Sequence, residues 1–122
     1  MTTDVKIHVG DTLEDAGRRF VDAWHRAERG ELTEGNAERH VTFPDLETFA
    51  RVLSPKRVEL LRHVHRAGPA RSVRALAQAL GRDYRRVHED VEVLVGSGLL
   101  ERGEGGLRAG YDRARIEAHL DL

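Results

Sequence analysis

The chain predicts an α+β fold, mainly helical, on three observations. Ser72 to Leu100, SVRALAQALGRDYRRVHEDVEVLVGSGLL, holds two runs of helical periodicity separated by Gly81-Arg82-Asp83. A short hairpin pattern around Gly103-Glu104-Gly105-Gly106 follows at once. Alternation of period two appears near both ends, at Val5, Ile7 and Val9 and again at Ile116, Ala118, Leu120 and Leu122.

From the start of the chain, the first alternation predicts a strand, and Asp11 or Thr12 then begins a helix to about Arg29. Leu13, Ala16, Gly17, Phe20, Trp24 and Ala27 fall on one face of that helix, a stripe containing the only tryptophan. Gly30 to Arg39 is polar and contains Gly35-Asn36, so a loop is expected there, and His40 to Phe43 reads as a short extended piece. After Pro44, Asp45 caps a helix carrying Leu46, Phe49, Val52 and Leu53, expected to pack on the helix that follows. Ser54 suits the cap of that next helix, and Pro55 suits its first position, where no amide is needed. Val58, Leu61 and Val64 form its inward stripe, and Gly68-Pro69 breaks it.

The central pair of helices has a tighter register. Leu76, Ala77, Leu80, Gly81, Val87, Val91 and Leu94 fall where two crossed helices need core, small, core, turn, core, core and core. Gly81 reverses the chain in the left-handed conformation at little steric cost. Asp83 caps the second helix, and Gly96 is expected to end it. With Val87, Val91 and Leu94 inward, Arg85, Arg86 and Glu89 project to the opposite side, with His88 and Glu92 on the flanks. These side chains suit a major groove. Arginine offers two hydrogen bonds to guanine O6 and N7, and Glu89 can accept from cytosine N4 or hold an arginine in place. Beyond the second helix, Leu99 to Arg102 and Leu107 to Tyr111 read as the strands of a wing, with Arg102 and Arg108 flanking its tip in reach of phosphates. Glu104 at the tip opposes a polyanion. Helix, helix, helix and hairpin make a winged helix-turn-helix of about 60 residues, a size that folds alone. The N-terminal strand and helix extend it, and a C-terminal strand closes the chain. The expected division is residues 1–43 as a dimerisation or partner-binding extension and residues 44–122 as the DNA-binding domain.

LSPKRVELL at 53–61, SVRALAQALGRD at 72–83, VHEDVEVL at 87–94 and GLL at 98–100 resemble a group of small predicted transcriptional regulators of bacteria and archaea. Their winged helix is related to the MarR and ArsR types. The resemblance runs from Phe43 to the C-terminus, and its most specific part is the pattern R-D-x-x-x-V-H-x-D-V. It implies sequence-specific DNA binding and, in some members, genes beside a small toxin-like protein. Arg82, Arg85, Arg86 and His88 are the candidate contacts it transfers to this sequence.

Charge distribution points the same way. Residues 54–110 carry 11 Lys and Arg against 7 Asp and Glu, residues 1–53 carry 7 against 11, and residues 111–122 carry 2 against 3. A basic head on an acidic body suits a DNA binder with a separate interaction module. The excess is modest, and Asp83, Glu89, Asp90 and Glu92 lie near the reading helix, so tight binding is expected to need two copies on adjacent half-sites. A homodimer through Val5, Ile7, Val9, Phe20 and Trp24 is the expected means, with the terminal strands pairing either within one chain or between two.

Other classes find little support. No run approaches the ~18 apolar residues of a membrane helix, and the N-terminus lacks a signal-peptide pattern, so a cytoplasmic protein is expected. With no cysteines, disulfides and thiolate metal sites are excluded. His63 and His65 point about 200° apart on a helix, and His8, His25, His40 and His119 show no ligand spacing, so neither metal nor cofactor is expected. GEGG lacks the lysine and the strand-to-helix setting of a phosphate loop, and no carboxylates are marked as a catalytic pair, so no enzyme activity is expected. Two functions remain: a dimeric regulator, expected to repress by occupying its operator, and an antitoxin or adaptor using the winged helix and acidic N-terminal region for protein contact.

Overall fold

The computed structural model describes residues 4–10, 13–30, 39–120 and 122. The expected cap at Asp11 or Thr12, most of the expected loop at 30–39 and the side chains of Leu13, Ala16 and Ala27 lie outside the described residues. The order is β1 (Asp4–Val9), α1 (Leu13–Glu28), β2 (Arg39–Phe43), α2 (Leu46–Val52), α3 (Pro55–Ala67), α4 (Val73–Leu80), α5 (Tyr84–Ser97), β3 (Glu101–Gly103), β4 (Gly106–Arg108) and β5 (Arg113–Ala118). The fold is α+β. Among the described residues no helix is long and apolar enough to cross a membrane.

The chain divides into two units, one formed by Met1–Phe49 with Asp112–Leu122, the other by Ala50–Tyr111. This differs from the division expected at residue 43, because the C-terminal strand leaves the second unit and pairs with β1.

In the first unit β1 is the middle strand of a parallel sheet ordered β2-β1-β5. Parallel neighbours need a crossover, and α1 supplies the one between β1 and β2. Ile7 lies opposite Val41 on one side and Ile116 on the other. Val5, Ile7 and Val9 are at most 1% exposed, and Val41 and Phe43 are buried with them. These three β1 residues, expected at a dimer interface, are instead core of a single chain, on the middle strand of the sheet. The terminal strands thus pair within one chain. Phe43 meets Phe49 edge to face, with ring centroids 5.6 Å apart.

The alternate β1 residues face a polar layer. Lys6 Nζ lies 3.4 Å from Glu117 of β5, and the buried His8 shares a 2.8 Å hydrogen bond between its Nε2 and Nδ1 of His40. Arg19 of α1 donates to Thr42 Oγ1 at 3.4 Å. On the same helix Phe20 and Trp24 are turned outward, 70% and 59% exposed.

The second unit is built from locally capped helices. Ser54, Ser72 and Asp83 each accept from a backbone amide three residues on, at 3.4, 3.0 and 3.2 Å, which satisfies one open donor at the start of α3, α4 and α5. Gly81 closes α4 at φ 63° and ψ 35°, the left-handed conformation expected of it. Helix α5 runs past Gly96 to Ser97 and is closed by Gly98 at φ 89°. The later stop satisfies the carbonyl of Leu94, which accepts from Ser97 Oγ and from the amides of Leu99 and Leu100. Leu60 and Val64 are the buried residues of α3, with Val58 and Leu61 only half-buried. They join Leu76, Ala77, Val87, Val91 and Leu94 in the core.

The hairpin is shorter than expected. β3 and β4 pair antiparallel over Glu101–Gly103 and Gly106–Arg108, while Leu99, Leu100, Ala109 and Tyr111 turn into the core. Tyr111 donates its hydroxyl to the carbonyl of Leu99 at 3.0 Å. Leu107 fastens the hairpin to the segment between α3 and α4 by exchanging two backbone hydrogen bonds with Ala70, at 2.9 and 2.7 Å.

Candidate nucleic-acid interface

The start of α5 is held from behind by a carboxylate. Asp90 accepts from Arg57 Nε at 3.0 Å and from Arg82 Nη2 at 2.8 Å, with the three side chains only 13 to 17% exposed. Arg57 also donates to the carbonyls of Arg51 and Val52, both at 3.1 Å, closing the end of α2. Arg82 was expected to contact DNA, and the structure engages it elsewhere. Its guanidinium is turned inward onto Asp90, and its Nη1 is buried without a hydrogen-bond partner.

The outward face of α5 carries the other expected residues. Arg85, Arg86, His88 and Glu89 are all exposed, while Val87, Val91 and Leu94 are fully buried behind them. Among the described residues no carboxylate pairs with the side chains of Arg85 or Arg86, so both guanidiniums are available to a ligand.

Arg102 and Arg108 of the hairpin are exposed but engaged. Arg102 Nη2 lies 2.7 Å from Glu92 Oε1, and Arg108 Nε lies 3.5 Å from Glu101. The hydrogen bond from Arg102, then its charge, holds the Glu92 carboxyl below the usual carboxylate range, with a lesser contribution from His88. A phosphate would have to compete with these carboxylates.

The face also includes residues that sequence reasoning missed. Tyr84 is half exposed, with the guanidinium carbon of Arg74 5.8 Å from its ring centroid and the His88 ring 5.9 Å away. Arg71 and Arg74 are exposed on either side of the Ser72 cap. The signal was present in both cases. Tyr84 precedes His88 by one helical turn, and arginines beside a cap add positive charge where a helix start already favours anions.

The electrostatic contrast sharpens with the observed boundaries. The second unit carries 12 Lys and Arg against 7 Asp and Glu, and the first carries 8 against 14. Among the described residues no three His, Asp or Glu side chains are placed to hold a metal ion.

No curated protein and no solved structure matches the chain. The model of the HVO_A0114 family matches residues 52–116, from the end of α2 through every later helix and the hairpin into β5, and the chain belongs to that family.

Proposed function

We propose that the protein is a sequence-specific DNA-binding transcriptional regulator whose second unit is a winged helix-turn-helix. In this reading α4 and α5 are the helix-turn-helix, α5 is the reading helix and the β3–β4 hairpin is the wing. The protein represses by occupying its operator, as a dimer on two half-sites. The observation that carries the reading is the exposed start of α5, where Arg85 and Arg86 are free of carboxylates on a unit of net positive charge.

Each residue then has a role. Arg85 and Arg86 read guanines, Glu89 accepts from a cytosine, and His88 and Tyr84 line the same face. Arg71 and Arg74 hold phosphates at the start of α4. Arg102 and Arg108 serve as secondary phosphate contacts, weakened by Glu92 and Glu101.

A gel shift on the DNA upstream of the protein's own gene tests this. Arg85→Ala or Arg86→Ala is expected to cost ~1–3 kcal/mol and relax specificity at one base pair, whereas Arg71→Ala or Arg74→Ala weakens all sequences alike and lowers the salt slope by about 1. Unchanged affinity in both α5 variants refutes the assignment.

A second reading is favoured by the exposed Phe20, Val21 and Trp24 on α1. Such a patch on an acidic unit suits a protein partner, as in an antitoxin or adaptor that masks a small toxin-like protein. Loss of a co-purifying basic partner in Trp24→Ala, with DNA binding intact, is the outcome that supports it.

A further inference from the structure

We propose that the outer edge of β5 pairs antiparallel with β5 of a second copy, centred on Ile116, making a six-stranded sheet across a two-fold axis. The inference rests on the two-copy reading above for the number of molecules. Its geometry comes from the sheet alone.

Among the described residues the order β2-β1-β5 leaves β5 with a neighbour on one side only. Its six residues are all exposed and include no proline, so the strand presents an open row of amides and carbonyls. Which residues offer them follows from the pairing with β1. His119 donates its amide to the carbonyl of Val9 at 2.9 Å, so the odd-numbered residues of this stretch bond inward. Ala114, Ile116 and Ala118 therefore turn their amides and carbonyls outward, since parallel strands alternate in this respect.

A two-fold antiparallel partner must match outward residues with outward residues, which leaves few registers. Centring on Ala114 sets Arg113 against Arg115 of the second copy, twice. Centring on Arg115 or Glu117 sets each against itself, and centring on Ala118, the last residue of the strand, pairs it only with residues beyond its own end. Centring on Ile116 sets Arg115 against Glu117 of the second copy, twice, and Ala114 against Ala118, with the two Ile116 side chains meeting at the axis. Opposite charges directly across from one another stabilise a ladder and like charges oppose it, so this register is selected. Ile116 is 56% exposed in the single chain and gains an apolar neighbour. The outer edge of β2 lacks this match, because Arg39 is the only Asp, Glu, Lys or Arg in that strand.

The test uses the full chain without DNA, so that failure of the dimer is distinguishable from failure of DNA binding. Sedimentation across micromolar concentrations is expected to show a monomer–dimer equilibrium. Arg115→Glu should weaken the dimer about tenfold or more by creating two like-charge pairs, and combining it with Glu117→Arg should restore it. Because Glu117 also holds Lys6, circular dichroism checks the fold of each variant, and a second experiment keeps every charge. The chain has no cysteine, so Ile116→Cys is the single thiol of its variant. At the axis its Cα stands about 5.5 Å from its own copy, within disulfide reach, whereas in Ala114→Cys the two thiols are offset by four residues, about 13 Å. Cross-linking of the first variant and not the second is the expected result. A monomer at every concentration, equal cross-linking of the two, or a dimer untouched by Arg115→Glu and lost in Trp24→Ala overturns the proposal.

Discussion

Replacing Asp90 with Ala removes the carboxylate on which Arg57 and Arg82 converge, and leaves two largely buried guanidiniums facing one another across the site. Each bond to a charged group is worth ~1.5–3 kcal/mol. The pair sets an upper bound near 6 kcal/mol on that basis. Exposures of 13 to 17% admit some water, which brings the expected loss to about 2–4 kcal/mol. For a unit this small, 1 kcal/mol moves the midpoint by ~4–8 °C, so a drop of roughly 10–25 °C is expected in thermal melts followed by helical circular dichroism. Arg82→Ala is the informative control. It deletes a buried nitrogen that has no partner and keeps the Arg57–Asp90 bond, so its cost is expected at about 1–2 kcal/mol. A loss below about 0.5 kcal/mol for Asp90→Ala, or an Arg82→Ala variant that melts as low, would falsify the view of Asp90 as the clamp behind α5.

Gly106 sits at φ 106°, where an added Cβ would run into the carbonyl of Ala70. Gly106→Ala is therefore expected to cost about 2 kcal/mol or more and to expose the Ala70 and Leu107 amides to hydrogen exchange, with unchanged protection the contrary result. The Glu92 carboxyl titrates below its ordinary range because of Arg102, so the contact between α5 and the hairpin is fully present at neutral pH. It is lost as pH falls through the lowered folded pKa. An NMR titration of the Glu92 carboxyl in Arg102→Ala should return it toward the ordinary range, and no movement would remove Arg102 as the cause. For DNA, the Arg85→Ala and Arg86→Ala losses should persist at high salt better than those of Arg71→Ala, because base contacts release fewer counterions.

The features read most directly from the sequence are local ones. Ser54, Ser72, Asp83 and Gly81 act within three or four residues of themselves, so their roles follow from the order of residues alone. Gly96 and Gly98 show the limit. Both suit a helix end, and the choice falls to Gly98 because the Leu94 carbonyl is satisfied by Ser97, Leu99 and Leu100. Arg82 shows it again at the candidate site. A cation just before α5 looks available until Asp90, eight positions on, is seen to turn it inward. The alternation of Val5, Ile7 and Val9 fits a sheet core and an interface equally well. Only the pairing of β1 with both β2 and β5, distant in sequence, decides between them.

That pairing has a consequence during synthesis. β1 gains β2 once residue 43 has been made, yet Asp4 meets its other neighbour only when Arg113 is available, 109 residues later. Translation from Phe43 to Ala118 spans 75 residues, or ~4–15 s at about 5–20 residues per second. Over that interval β1 has an open edge bearing Val5, Ile7 and Val9, while the helices between are free to form from local contacts. Synthesis thus supplies the whole of the second unit before it supplies β5, the strand that completes the sheet.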